Sequence, residues 1–254
     1  TIPLDEPVPA EAGLRPGGGE PAPAERRPVR LGSPPALAAA FQVRAGLRAR
    51  IDRSLSAGTA VVVNQVLAGD GGVGKTQLAS ALFHDALRSG GIDLGLWVTA
   101  TSRDAVLAGY AAALALIDPD AAAARPEQED RANAFLAWLG ETDRTWFVVL
   151  DDLAYPADLT GLLPHGDSGR VLVTTRRRDA ATTALGAVVH VGLFSPEESI
   201  AYLYERLGQP HVSRTMLDGA EQLVEDLGNL PLALAQAAAV IINDGISCAD
   251  YRDL

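Results

Sequence analysis

One lysine stands among the 21 basic residues of this chain, at position 75. It lies in the stretch Gly69-Asp70-Gly71-Gly72-Val73-Gly74-Lys75-Thr76, which has the glycine, lysine and threonine spacing of a phosphate-binding loop. Backbone N–H groups of such a loop turn inward around phosphate oxygens, and a compact ammonium fits between two phosphates where a planar guanidinium does not. Lys75 is therefore a candidate catalytic residue, and the Thr76 hydroxyl is a candidate Mg²⁺ ligand. The residues that we expect to bind the phosphates of a nucleotide are Gly71, Gly72, Val73, Gly74, Lys75, Thr76 and Gln77.

A second group of polar residues follows two predicted strands further along the chain. Asp151 and Asp152 come directly after the apolar run 146–150, and Arg176 follows the run 171–175. Ligands of parallel sheets bind beyond the carboxyl ends of the strands, where the phosphate loop also lies. Asp151 is therefore predicted to bind Mg²⁺, Asp152 to act as the base toward an attacking water, and Arg176 to reach the γ-phosphate. The alternative for the two aspartates is that they only begin the next turn.

The elements that must position these residues alternate between strand and helix. An apolar run at 60–67 precedes the phosphate loop and a helix at 75–87 follows it, which argues against a chance match to the loop pattern. Further strands are predicted at 94–99, 146–150, 171–175 and 187–191, with helices at 103–116 and 132–139. We therefore predict an α/β fold of the P-loop NTPase type, in which a parallel sheet has helices on both faces.

The composition changes twice along the chain and divides it into three predicted segments. Residues 1–36 are rich in Pro, Ala, Gly and Glu and are predicted to be a linker or tail, with a helix beginning near Leu37. The phosphate-loop domain is predicted to span residues 37–191. Residues 192–254 show no strand pattern and are predicted to be a small all-helical domain, with helices at 196–207, 216–227, 231–243 and from 248.

Charge and composition argue against several classes of partner. The net charge of −11 argues against direct nucleic-acid binding by this chain. No apolar run approaches the ~20 residues of a membrane span, so we expect no membrane partner and a cytoplasmic location. The single cysteine, Cys248, excludes an internal disulfide and a cysteine-cluster metal site. A guanine-binding Asn-Lys-x-Asp element would need a second lysine, so adenine is the expected base.

Four motifs resemble those of the NB-ARC family and follow one another in the same order. The members of this family are STAND-class ATPases found in apoptotic and plant immune sensors and in bacterial regulators. They are the phosphate loop at 71–76, Leu-Asp-Asp at 150–152, the strand and arginine at 168–176, and Gly-Asn-Leu-Pro-Leu-Ala at 228–233. The resemblance implies that Pro231 packs near the adenine and ribose. It also implies that Gln42, Val43 and Arg44 contact the base, with Val43 standing where the family has glycine.

The same resemblance implies a molecular switch that binds ADP or ATP with Mg²⁺. ADP would hold the two domains closed, exchange for ATP would open them, and hydrolysis would be slow. Further domains of the same polypeptide are implied, namely a winged helix after residue 254, sensor repeats and an effector, together with ATP-dependent self-assembly. The residues alone leave three alternatives open: a constitutive P-loop ATPase, a small-molecule kinase, or an interaction scaffold stabilised by nucleotide.

Overall fold

A parallel sheet is the centre of the first two thirds of the chain. The computed structural model describes residues 28–56, 63–68, 71–208 and 214–254. Within these ranges the strands are β1 (Val29–Leu31), β2 (Val63–Ala68), β3 (Leu94–Thr99), β4 (Trp146–Leu153), β5 (Gly169–Thr175) and β6 (Ala187–His190). They lie in the order β1-β3-β4-β5-β2-β6, and every neighbouring pair is parallel. The carboxyl ends of β2, β4 and β5 therefore meet at one edge of the sheet.

Helices cover both faces of this sheet, as the sequence predicts. They are α1 (Ala45–Ser56), α2 (Lys75–Arg88), α3 (Arg103–Ile117), α4 (Pro119–Ala123), α5 (Gln128–Glu141) and α6 (Ala180–Thr183). Successive strand residues point to opposite faces. Leu96 and Val98 of β3 accordingly pack against α3 and α5, whereas Trp97, between them, packs with α1 and α2. The predicted α/β fold with a parallel sheet is confirmed.

A separate helical cluster follows β6. It contains α7 (Pro196–Leu207), α8 (Ala220–Asp226), α9 (Pro231–Asp244) and α10 (Cys248–Arg252), with 3-10 turns at Arg214–Leu217 and, earlier in the chain, at Pro156–Leu159. Ser195 and Glu198 form a capping box that fixes where α7 begins. The cluster has its own buried core, which includes Leu203, Leu234 and Cys248. None of the helices in the described ranges is long and apolar enough to cross a membrane.

Two predictions near the amino terminus are wrong. Val29–Leu31, inside the predicted tail, is the edge strand β1 and pairs with β3. The helix predicted near Leu37 begins only at Ala45. The reason is that side chains of α2 hold the preceding segment in a non-helical path: the Ser80 hydroxyl donates to the Pro35 carbonyl at 2.6 Å, and Gln77 Oε1 accepts from the Ala38 N–H at 2.6 Å.

Some predictions fall on residues that the structure does not describe. These are the tail up to residue 27, the start of the predicted strand at 60–62, and the first two residues of the phosphate-loop pattern, Gly69 and Asp70.

Candidate nucleotide-binding site

A cavity of about 530 Å³ lies at the carboxyl ends of the strands. The predicted site residues that line it are Gln42, Arg44, Gly71, Gly72, Val73, Gly74, Lys75, Thr76, Gln77, Asp151, Asp152, Arg176 and Pro231. Val43 does not line the cavity, and it is 71% exposed. The fold thus brings every predicted site residue except Val43 to one place.

The phosphate loop leads directly into α2. Gly72 and Gly74 have φ values of +78° and +92°, a left-handed conformation that glycine adopts without steric cost. Lys75 is the first residue of α2 and is buried. The first turn of a helix presents N–H groups and the positive end of the helix dipole, so this loop has the geometry of an anion site.

Asp151 lies beside the phosphate loop, at the end of β4. Its Oδ1 accepts hydrogen bonds from the Thr76 hydroxyl at 2.9 Å and the Thr174 hydroxyl at 2.5 Å, and the residue is only 6% exposed. A hydroxyl and a carboxylate are oxygen donors of the kind that Mg²⁺ prefers. No group of three His, Cys, Asp or Glu side chains that could hold a metal occurs among the described residues. A Mg²⁺ ion here would therefore need phosphate and water oxygens to complete its coordination.

Asp152 lines the same cavity as Asp151, although neighbouring strand residues ordinarily point to opposite faces. The backbone explains this. Asp152 has a φ of +56°, and the pairing of β4 with β5 shifts register between Leu150 and Leu153. Left-handed backbone at a non-glycine residue is strained and is concentrated at functional sites, and aspartate tolerates it better than most residues. Arg176 Nε lies 3.5 Å from Asp152 Oδ1, and both side chains are exposed.

Sequence reasoning missed Thr174, which holds the two aspartates together. Besides its bond to Asp151, its hydroxyl oxygen accepts a hydrogen bond from the Asp152 N–H at 2.8 Å. Thr174 is 1% exposed and lines the cavity. The signal that could have found it is a hydroxyl residue near the end of a buried, otherwise apolar strand. Such a group needs a hydrogen-bond partner, and here the partners are the site residues.

Replacing Thr174 with valine should destabilise the protein and disturb Asp151. The valine keeps the shape but leaves the half-buried Asp152 N–H without its acceptor and the buried Asp151 carboxylate without one donor, which costs about 1–3 kcal/mol in free energy of unfolding. Chemical denaturation measures this cost, and the serine variant is the control because it retains the hydroxyl. A valine variant as stable as the unmodified protein would show that the hydroxyl does not hold the site.

The segment 42–44 contacts the helical cluster, in addition to lining the cavity. The Arg44 guanidinium donates to the carbonyls of Gly192 and Leu193 at 2.9 and 2.8 Å. Its Nε lies 3.3 Å from a carboxylate oxygen of Glu198, and the group sits 5.5 Å from the ring centre of Phe194. Gln42 Nε2 donates to Glu205 of α7 at 2.8 Å. Arg44 therefore fastens the amino-terminal segment to the connection between the two cores, and Gln42 fastens it to α7.

Removing the Arg44 side chain should loosen the connection at residues 192–195. Alanine at this position loses both carbonyl contacts and the ion pair, so amide hydrogen exchange at 192–195 should accelerate at least tenfold. Lysine in place of Arg44 is the matched control because it keeps the charge but cannot reach two carbonyls with a planar fork. Unchanged exchange in the alanine variant would show that Arg44 does not restrain the connection.

The helical cluster forms the opposite wall of the cavity. Pro231 occupies the first turn of α9, and the Leu232 N–H donates to the carbonyl of Gly72 in the phosphate loop at 3.1 Å. A Cβ on Gly72 would lie 2.8 Å from Leu232 Cβ, so glycine permits this close approach. Tyr202 of α7 also lines the cavity, and burial raises the pKa of its phenol above the ordinary value.

Comparison with solved structures supports the fold. Cdc6p of Pyrobaculum aerophilum superimposes with a TM-score of 0.62 at 16% identity, over 84% of this chain and 66% of that one. A signal transduction ATPase with numerous domains (STAND), with a tetratricopeptide repeat sensor, from Pyrococcus horikoshii gives a TM-score of 0.51 at 18% identity. That match covers 84% of this chain and 31% of that one. At these identities the likeness concerns the fold alone.

Sequence comparison identifies the family. The regulatory protein AfsR of Streptomyces coelicolor is 33% identical over an alignment of 245 residues, and the match covers 91% of this chain and 24% of AfsR. A nucleotide-binding leucine-rich repeat (NLR)-like protein of Hyaloscypha variabilis is 29% identical over an alignment of 211 residues, and the match covers 74% of this chain and 20% of that protein. The chain thus spans about a quarter or less of the length of these relatives. The NB-ARC domain family matches residues 49–211, well over half of the chain. With the phosphate loop, Asp151 and Arg176 gathered around one cavity, this chain belongs to the NB-ARC family.

Proposed function

We propose that this chain is the ATP- and ADP-binding switch module of a larger regulatory protein. The observation that carries the proposal is the composition of the cavity walls. The phosphate loop forms one wall, and Tyr202, Pro231 and Leu232 of the helical cluster form the other. A nucleotide between them contacts both parts at once. The free energy of nucleotide binding therefore differs between a closed and an open arrangement of the two parts. A ligand shifts the equilibrium between two arrangements only if it binds them with different free energies.

The proposed site residues have distinct tasks within the cavity. Lys75 and the N–H groups of the phosphate loop bind the phosphates, and Thr76 and Asp151 hold Mg²⁺, which neutralises phosphate charge when bound. Asp152 orients the attacking water. Arg176 is exposed beside Asp152, so it is free to turn toward a γ-phosphate and distinguish ATP from ADP. Slow hydrolysis would return the module to its ADP-bound state.

The proposed setting is a cytoplasmic, bacterial-type regulator with several domains. The matched relatives are a regulatory protein and an NLR-like protein, each about four to five times as long as the matched segment. A winged helix, sensor repeats and an effector would be attached to the switch, and the ATP-bound form would self-assemble. No role in nucleic-acid binding is proposed for this chain, because its net charge is −11.

Nucleotide content and shape test the proposal together. The purified protein is denatured, and the released nucleotide is identified and counted. Small-angle scattering then compares the ADP-loaded protein with the protein exchanged into a non-hydrolysable ATP analogue and Mg²⁺. We expect near-stoichiometric ADP and a larger radius of gyration in the ATP analogue. The same radius in both nucleotides would contradict the switch.

Two further outcomes would favour the alternatives. An empty site with rapid turnover of added ATP would indicate a constitutive ATPase. Failure to bind either nucleotide, with an intact fold, would indicate an interaction scaffold.

A further inference from the structure

A second groove, of about 610 Å³, lies between α7 and α8 on the surface of the helical cluster. We call it the α7–α8 groove. From α7 it is lined by Glu197, Ile200, Ala201 and Tyr204, which are spaced i, i+3, i+4 and i+7 and so share one face of the helix. From α8 it is lined by Glu221, Val224 and Glu225, again on one helix face. No residue of this groove also lines the nucleotide cavity.

The α7–α8 groove is apolar in the middle and acidic at its edges. Ile200 and Ala201 provide the apolar surface above Val224, which is only 2% exposed, and Tyr204, a large side chain, is 56% exposed beside them. No lysine or arginine occurs among the described residues that line the groove. Within the described part of the chain, Glu197, Glu221 and Glu225 form no ion pair, so their three negative charges are not neutralised by a neighbouring side chain.

We propose that the α7–α8 groove binds a basic amphipathic helix of a partner protein. The face of α7 from Glu197 to Tyr204 is about 10 Å long at 1.5 Å per residue, which matches two turns of a docked helix. Apolar anchors of such a helix would cover Ile200, Ala201 and the ring of Tyr204, and its flanking arginine or lysine side chains would meet the glutamates. Nucleic acid and anionic membrane surfaces carry the same sign of charge as the groove, which disfavours both.

Fluorescence anisotropy of a labelled peptide tests this proposal on the full chain. The probe is a capped helical peptide of about 14 residues, with leucine at i, i+3, i+4 and i+7 and arginine on both sides of that stripe. The matched probe carries glutamate in place of every arginine. We expect saturable binding of the arginine peptide that weakens with salt, and at least tenfold weaker binding of the glutamate peptide.

Paired charge variants locate the binding site. Glu221→Gln with Glu225→Gln should weaken binding of the arginine peptide about fivefold, because the peptide loses two exposed ion pairs, each of which contributes modestly to affinity. Glu141→Gln with Asp143→Asn removes the same number of charges from an exposed region outside the groove, and should leave the affinity within twofold. Ala201→Arg, on an exposed helical position, should weaken binding at least tenfold by placing a cation and a long side chain in the groove.

Three outcomes would overturn the proposal. Equal weakening by both pairs of charge variants would show that the peptide responds to net charge alone. Unchanged affinity in Ala201→Arg would place the peptide elsewhere. Concentration-dependent dimerisation of the unmodified chain that Ala201→Arg abolishes would show that a second copy occupies the groove. None of these measurements requires nucleotide, so the proposal stands or fails separately from the switch.

Discussion

Replacing Lys75 with alanine is expected to weaken binding of ADP and ATP at least a hundredfold. Lys75 begins α2, is buried, and is the lysine of the phosphate loop. Hydrogen bonds to charged groups contribute about 1.5–3 kcal/mol each, so losing an ammonium that bridges two phosphates removes about 3 kcal/mol or more. Each 1.4 kcal/mol is a factor of ten in affinity. Isothermal titration with each nucleotide measures the loss.

Two controls separate this effect from a general loss of charge or fold. Arg50→Ala removes an exposed positive charge from α1 and should leave nucleotide affinity unchanged. Lys75→Arg keeps the charge, yet we expect it to weaken binding as well, because a planar fork does not replace a compact ammonium between phosphates. Circular dichroism confirms that each variant is folded. A folded Lys75→Ala protein that binds ADP within threefold of the unmodified chain would refute the assigned role.

Replacing Gly169 with alanine is expected to cost about 2–6 kcal/mol in free energy of unfolding. Gly169 is paired directly with Trp146 across β4 and β5. A Cβ on Gly169 would lie 1.9 Å from Cε2 of the indole ring. Alanine has no alternative rotamer that could avoid this clash, so the indole ring or the backbone must move. Trp146 is fully buried, and its Nε1–H donates to the Leu139 carbonyl at 3.1 Å.

The expected cost has two sources. Overpacking a well-packed core costs about 1–3 kcal/mol, and displacing the indole also breaks its buried hydrogen bond, for about 1–3 kcal/mol more. Urea denaturation followed by circular dichroism measures the sum. Gly46→Ala is the matched control, since no atom lies within 4 Å of the new Cβ and the position is helical, so stability should be unchanged or slightly higher. A midpoint for Gly169→Ala equal to that of the unmodified chain would contradict this reasoning.

The sequence predicts those strands and helices whose bounds are marked by neighbouring residues. The strand Leu94–Thr99 and the helix Pro196–Leu207 have the predicted bounds. An apolar run defines the strand, whereas a capping serine and a proline mark the start of the helix and Gly208 follows its last residue. The edge strand β1 was missed because only three residues after a proline-rich stretch form it. Its pairing with β3 depends on residues more than sixty positions away.

The candidate site also contains residues that motif spacing predicts and residues that only the structure reveals. Motif spacing placed Lys75, Asp151 and Arg176 beside one cavity, since strand order makes the carboxyl ends converge. The partners of Arg44 could not be predicted, because its guanidinium is held by carbonyls about 150 positions further along, which carry no side-chain signal. Thr174 and the left-handed backbone of Asp152 depend on each other, and neither is visible without the register shift in β4.

The two edge strands of the sheet limit how copies of this module can associate. The outermost strands, β1 and β6, are the shortest in the described sheet, with three and four residues. Short edge strands offer few unpaired N–H and C=O groups to a strand from another molecule, and proteins use them to prevent edge-to-edge aggregation. Joining two sheets into one continuous ladder would gain only a few hydrogen bonds here. Short edges therefore disfavour assembly of this module by strand pairing, and favour contacts through helices and loops, whose side chains can specify one partner.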